Sequence, residues 1–374
     1  LIFFLFPLLF LTSCSFDNKS GIWKNAEDIV EKKEQIKDEK LVDIFTENKV
    51  FDEEKNNEDI QINVENSLKN SNWADEFFNL NNNIPNISYK NNKILVSKIL
   101  KISNLKYSKE RLIRPLIYNQ KIILTNNKGV IYIFSLITQK KLFEFNFYKK
   151  KYRKYKKEIY LIIKDNTIFA ADNLGYMYAI NIENQKIIWA KNFGVPFRSN
   201  IKIIDNSIFL LNQENELLAV NLSNGEKMWQ FQTTPQLLKY SFINNILIDK
   251  TNENVLFLNN SGELYSVNYR SREINWFKAF KTFSSTDKND LFNGTPLSLK
   301  SKSLIISTGK IIANVNPISG IIIWTKNIPS KVKPILTEKH IFVISDNKLL
   351  ICLNKASGRV LWSTNIVKRS KEKD

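Results

Sequence analysis

Residues 201–231, IKIIDNSIFLLNQENELLAVNLSNGEKMWQF, set out the hydrophobic and polar pattern that governs most of the chain. Apolar runs at Ile201–Ile204, Ser207–Leu211 and Leu217–Asn221 are separated by the polar pieces Asp205-Asn206 and Gln213–Asn215. A fourth run passes through Trp229 after Asn221-Leu222-Ser223-Asn224-Gly225. Runs this short, bounded by Asn, Asp, Ser and Gly, predict four β-strands joined by tight turns. The last of these turns is expected to open with Asx-type hydrogen bonding and to place Gly where φ is positive.

The pattern recurs. An aromatic residue, usually Trp, stands at Phe143, Trp189, Trp229, Trp276, Trp324 and Trp362, at intervals of 46, 40, 47, 48 and 38 residues. Eight positions before each lies Ser135, Asn181, Asn221, Asn268, Asn316 or Asn354. Ten positions before lies Ile133, Ala179, Ala219, Ser266, Asn314 or Cys352, small in most copies. Four positions before, Gly225, Gly320 and Gly358 alternate with Gln139, Gln185 and Arg272. Units of about 40 residues with four strands each, none able to bury its own faces, predict the blades of an all-β propeller. The six aromatics are expected to pack blade against blade, filling the wedge between twisted sheets.

The beginning of the chain reads differently. Residues 1–11, LIFFLFPLLFL, are an apolar run of signal-peptide length and too short for a spanning helix. Leu11-Thr12-Ser13-Cys14 follows, with small residues before a thiol that a diacylglyceryl group could alkylate, which makes 1–14 a signal and lipobox and Cys14 the lipidated N-terminus. An ordinary cleaved signal with an incidental Cys is the alternative. Ser15, in place of the Asp that retains lipoproteins at the inner membrane, points to the periplasmic face of the outer membrane. The chain starts at Leu1 with no basic stretch before the apolar run, so its true start is expected to lie upstream. Residues 15–72 have mixed charge and little apolar periodicity, and are expected to be a flexible tether or a partner-binding arm.

Composition changes the picture in two places. The chain has 374 residues and is 43% hydrophobic, enough for a large core, and 55 Lys and Arg against 37 Asp and Glu give a net charge of +18. Such an excess could attract nucleic acid or an anionic membrane, but Lys is spread over the whole length, which favours solvated turns. The exception is Tyr148–Lys157, YKKKYRKYKK, between Phe143 and the strand beginning near Ile159. Its position predicts an interblade connection. Solvated loop, headgroup contact and nucleic-acid stacking are all open to it, and export behind a lipobox argues against nucleic acid.

The segment IFAADNLGYMYAINIENQKIIW, residues 168–189, and its copies resemble the PQQ-like repeat of quinoprotein dehydrogenases and of BamB-like lipoproteins. With Cys14, the charged tether and Asn72-Trp73, the likeness is strongest to the BamB-like proteins of α-proteobacteria. It covers about Trp73 to Trp362 and implies an all-β propeller over 73–374. Eight blades are usual in that family. Six can be framed here, with a lead-in near Ile84 to Leu105, so an open ring and a missing C-terminal portion are expected. The resemblance implies a scaffold that binds the outer-membrane barrel-assembly protein and nascent outer-membrane chains.

Two interblade loops match the family's partner contacts. One is Phe193–Arg198, with Phe197 and Arg198 as the contact pair, and packing Phe beside solvated Arg as the alternative. The other is Asp290 to Asn293 before Thr295-Pro296, less acidic than the family pattern because Leu291 and Asn293 interrupt it. The other branch of the superfamily offers a periplasmic PQQ-dependent dehydrogenase or a quinone-binding sensor. Against it, Cys14 and Cys352 are the two cysteines and cannot form a vicinal disulfide, and His340 is the one histidine, at an expected turn. Cys352 falls in the small-residue series and is expected to be a buried hydrophobe. No metal-spaced cluster, nucleophile and base pair or phosphate loop is apparent, so neither catalysis nor a cofactor is expected.

Overall fold

The computed structural model describes residues 15–16, 23–24, 50–56, 62, 64–88, 115–148, 152, 154–235, 243–280 and 292–367. The chain divides into two compact units, Leu1–Asn48 and Lys49–Asp374. In the first, Ser15–Phe16 pairs antiparallel with Trp23–Lys24. Cys14 and most of the expected tether lie outside the described residues.

In the second unit, six four-stranded antiparallel sheets follow one another, each with its strands side by side in chain order. Blade 1 is Leu116–Tyr118, Lys121–Thr125, Val130–Ser135 and Lys141–Asn146. Blade 2 is Ile159–Lys164, Thr167–Asp172, Tyr176–Asn181 and Ile187–Asn192. Blade 3 is Lys202–Ile204, Ser207–Leu211, Glu216–Asn221 and Lys227–Gln232. Blade 4 is Asn245–Asp249, Asn254–Leu258, Glu263–Asn268 and Ile274–Ala279. Blade 5 is Ser298–Lys300, Ser303–Ser307, Ile312–Val315 and Ile322–Lys326. Blade 6 is Ile335–Leu336, His340–Ile344, Leu349–Asn354 and Val360–Asn365. His340 therefore begins a strand and is buried, where the sequence predicted a turn.

Why the repeat has its composition follows from one local geometry. Each aromatic sits opposite the small residue ten positions before it: Trp189 opposite Ala179, Trp229 opposite Ala219, Trp276 opposite Ser266, Trp324 opposite Asn314, and Trp362 opposite Cys352. Phe143 opposes Ile133. In all six blades the register between third and fourth strands shifts immediately beside this pair. Such a bulge re-aims a side chain. The indole N–H of Trp189 donates to Leu222 O at 3.0 Å, that of Trp276 to Pro317 O at 3.1 Å, and that of Trp324 to Lys355 O at 3.0 Å. Each acceptor belongs to the third turn of the next blade.

The same seam explains the glycines. A Cβ on Gly225 would come within 2.5 Å of the Trp189 ring, one on Gly320 within 2.6 Å of Trp276, and one on Gly358 within 2.5 Å of Trp324. The turn position has positive φ in every copy, including Gln139, Gln185 and Arg272. Backbone conformation alone therefore does not demand Gly here. The indole laid over the turn does.

Apolar residues from facing sheets form one cluster for each seam from blade 1 to blade 6. Among the described residues no cluster joins blade 6 to blade 1. Val130, Tyr132 and Phe134, backed by Ile122 and Leu124 on the far face of blade 1, form a group of their own. The six sheets do not close, as the open-ring expectation held.

Residues before blade 1 dock on the blades at several points, including Glu65, whose Oε1 accepts from Lys300 Nζ and Glu338 N–H, both at 2.8 Å. Trp73 to Asn83 crosses the first strands of all six in order. It bonds to Ile117 of blade 1, Ile163 of blade 2, Lys202 of blade 3, Ile248 of blade 4, Leu299 of blade 5 and Leu336 of blade 6. Lys202 Nζ, fully buried, donates to Asp75 Oδ2 and to Asn79 O, both at 2.6 Å. Burial pushes the Asp75 carboxyl up and the Lys202 ammonium down, and the pairing opposes both shifts. Farther back, residues 51–55 lie on blade 6. Residues 51–55 thus contact the blades from within the stretch 15–72.

Candidate partner-docking site

The connection from blade 2 to blade 3 is a loop held by its backbone. Asn192 Oδ1 accepts the Gly194 N–H at 2.8 Å, and Gly194, at φ +78°, has open space around it. Phe197 N–H donates to Asp172 O, Arg198 N–H to Leu211 O, and Arg198 O accepts from Asn244 N–H at 2.8 Å. Ser199 pairs in parallel with Asn244. Residues 197 and 198 are consequently fixed to three neighbouring segments before the Arg198 side chain does anything.

Phe197 has no exposed surface and packs edge-on to Phe193 at 5.4 Å within the core between blades 2 and 3. The expected contact pair is corrected on this point: Phe197 is framework, because its ring fills the seam that the bulged strands leave at their ends. Arg198 is 24% exposed. Its Nη1 lies 4.0 Å from Glu158 Oε2, and its Nε is buried with no hydrogen-bond partner. The exposed part of the guanidinium is what a partner carboxylate could reach, since the Nε itself is covered.

The connection from blade 4 to blade 5 repeats the plan. Phe292 is buried and lies against Gly262, Asn293 is exposed, and Thr295 N–H donates to Ser307 O at 2.9 Å. Asp290 and Leu291 lie outside the described residues. Among the described residues no hydrogen bond or ion pair joins Arg198 to Asn293, and the two loops are separate points, one on the seam between blades 2 and 3 and the other on the seam between blades 4 and 5.

A second polar series escaped the sequence reading. Asn126, Asp172, Asn212, Asn259, Ser307 and Ser345 stand seventeen positions before the six aromatics. The side-chain oxygens of the first four close the turn after the second strand by accepting the N–H groups two and four residues on. Counting from Trp in the same frame would have found it. Asp172 is the acidic member. It accepts from Tyr148 Oη at 2.5 Å, and burial pushes its carboxyl up.

The basic connection is therefore mixed in character. Tyr148 reaches Asp172, and Lys157 is buried, with its ammonium on Tyr152 O and 5.1 Å from the centre of the Tyr148 ring. Lys154, Tyr155 and Lys156 face solvent, and Lys149 to Lys151 and Arg153 lie outside the described residues. Of the remaining reactive groups, Cys352 is buried against Trp362 and its thiol is pushed up to about 11. Among the described residues, no three His, Cys, Asp or Glu side chains group as metal ligands would.

The PQQ-repeat family model described as outer membrane protein assembly factor BamB matches residues 127–364 of this chain. The chain belongs to that BamB family. Among solved structures, BamB from Moraxella catarrhalis is 12% identical, with a TM-score of 0.56 over 71% of this chain and 79% of that one. The β-propeller domain of Cps50 (Swd1) from Myceliophteria thermophila is 11% identical, with a TM-score of 0.44 over 66% of this chain and 82% of that domain. No curated protein matches. The shared fold with the Moraxella BamB is a propeller of four-stranded blades, and the BamB-family match spans all six blades seen here from the turn after the second strand of blade 1.

Proposed function

We propose that this chain is a non-catalytic scaffold lipoprotein of the outer-membrane β-barrel assembly machinery. In this reading Cys14 carries the lipid, the protein sits on the periplasmic face of the outer membrane, and interblade loops bind the barrel-assembly protein. The family match over residues 127–364 carries the reading. The geometry of the Gly194–Arg198 loop supports it. A pinned backbone removes most of the ordering cost of binding, and a partly exposed arginine on such a backbone is the kind of group around which interface hot spots form.

Nascent outer-membrane chains have a second type of surface available. The fourth strands expose apolar side chains, such as Ile188 at 52% and Phe277 at 62%, on strands that have no neighbour beyond them among the described residues in blades 1 to 5. An extended chain can add to such an edge through its backbone.

The test uses Arg198→Glu. Phe197 is left in place because its removal would damage the core. The variant should lose capture of the barrel-assembly protein by about tenfold or more, the scale of one hot-spot residue, while its unfolding transition is unchanged. Normal capture by the folded variant would remove this loop from the interface. Cys14→Ser should release the protein from the membrane fraction, and retention there would end the lipid-anchor reading.

A further inference from the structure

Among the described residues, the outer edge of blade 6 differs from the other five because it is already taken. Residues 51–55, Phe-Asp-Glu-Glu-Lys, lie along Val360–Asn365. Lys55 and Ser363 face each other antiparallel and exchange backbone bonds, Lys55 N–H to Ser363 O at 3.2 Å and Ser363 N–H to Lys55 O at 2.9 Å. Ser363 Oγ accepts from Lys55 N–H at 2.8 Å and donates to Glu53 O at 2.6 Å. Glu54 Oε1 accepts the Asn365 N–H at 2.9 Å, and Lys55 Nζ donates to Val360 O at 3.3 Å. At the other end, Phe51 N–H donates to Asn327 O at 3.0 Å, and the Phe51 ring packs with Trp324 and Val360 against the core between blades 5 and 6.

These contacts define a receptor for an extended strand. The edge supplies backbone partners, the Asn365 N–H receives a carboxylate, and the seam beside Trp324 receives an aromatic ring. The present occupant makes a single ladder pair, supported by side-chain bonds and the Phe51 ring, and Asp52, Glu53 and Glu54 are exposed at the surface. We propose that the outer edge of blade 6 is a binding site for an extended acidic segment of another polypeptide, bearing an aromatic residue ahead of its carboxylates, and that residues 51–55 are a displaceable internal occupant. The proposal does not depend on the assembly-machinery reading, since it rests on the edge geometry and would hold for any partner of this chemistry.

The probe is a fluorescent peptide with the sequence of residues 49–57, KVFDEEKNN, added to the full chain. A tethered occupant competes at an effective concentration of about millimolar, so wild type should bind the peptide weakly. Lys55→Pro removes the N–H that pairs with Ser363. That variant should bind the peptide about tenfold or more tighter, and hydrogen exchange at Ser363 should quicken and then slow again when the peptide is added. Phe51→Ala, which leaves the backbone alone, should act in the same direction and serves if Lys55→Pro does not fold. Adding Ser363→Pro to either should abolish binding, as should replacing the three peptide carboxylates with lysines. A folded variant with a freed Ser363 amide and no peptide binding would overturn the proposal. So would equal binding by the Ser363→Pro chain, which would place the peptide elsewhere. A wild-type dimer dissolved by Phe51→Ala would assign the edge to arm exchange between two copies and overturn it equally.

Discussion

Two pieces of the same lead-in dock on the blades in opposite ways. Trp73 to Asn83 meets the innermost strands and carries Asp75, Asn82 and Asn83 into the interior, where every polar group that is bonded is bonded to the framework. Residues 51–55 meet an outermost strand, and Asp52, Glu53 and Glu54 lie exposed at its rim. Both use backbone hydrogen bonds, so bonding alone does not separate them. Burial does. Removing a partner inside the blades leaves a charge with no water to turn to, whereas removing one at the rim lets water replace it.

The largest expected effect breaks the inner half of this contrast. Asp75→Ala strands the Lys202 ammonium in a site with no exposure and should cost about 3–5 kcal/mol in chemical denaturation. The double variant Asp75→Leu, Lys202→Met should recover most of that loss, because an apolar pair of similar volume does as well in such a place. A single-variant loss below about 1 kcal/mol would mean that the pair is solvated.

Next in size is the seam. Trp189→Ala should cost about 3 kcal/mol, toward the low end for a large buried aromatic because the turn at Gly225 lies near the surface and can relax. Trp229→Ala should cost less. Trp229 is only partly buried, and the turn position of the next blade that corresponds to Gly225 is Arg272, so its seam is expected to be the looser one. Equal losses at the two sites would remove the distinction between tight and loose seams. Gly225→Ala sharpens it at about 1–2 kcal/mol, since the added carbon meets the Trp189 ring and the backbone stays left-handed. Arg272→Gly should change stability by less than about 1 kcal/mol.

The smallest effect concerns acid. Burial, with Lys339 adding to it, holds the His340 imidazole below its ordinary value. Between that lowered value and about 6.5 the unfolded chain binds more protons than the folded one, so the contribution of this residue is complete above the window and is lost as pH falls through it. His340→Gln should flatten this part of the stability profile, measured as denaturation midpoint against pH. An unchanged slope would mean that the imidazole titrates in water.

Much of the repeat was legible because each blade solves the same problem. The Asn that opens the third turn, the aromatic eight positions later and the small residue opposite it are local requirements of one bulged hairpin, so they recur in fixed spacing. Alternating exposure on the fourth strands is equally local. Less was legible at the candidate site. Arg198 and Phe197 were read as one contact pair, since the sequence does not say which of two adjacent residues points into a seam made by strands far apart; Phe197 points in. Phe292 was missed for the same reason.

The sequence by itself determined the strand pattern, the six-fold repeat and the family, all of which depend on neighbours within about 40 residues. Only the tertiary structure decided what Lys202, Asp75 and residues 51–55 do. Lys202 and Asp75 are 127 positions apart, and Lys55 and Ser363 are 308 apart. On the chain they are ordinary charged residues among many, and no periodicity marks them. They acquire meaning when six sheets bring their first strands around one short segment and leave one outer edge for another, because the cost of burying a charge or leaving a strand edge bare exists only after folding has removed the water.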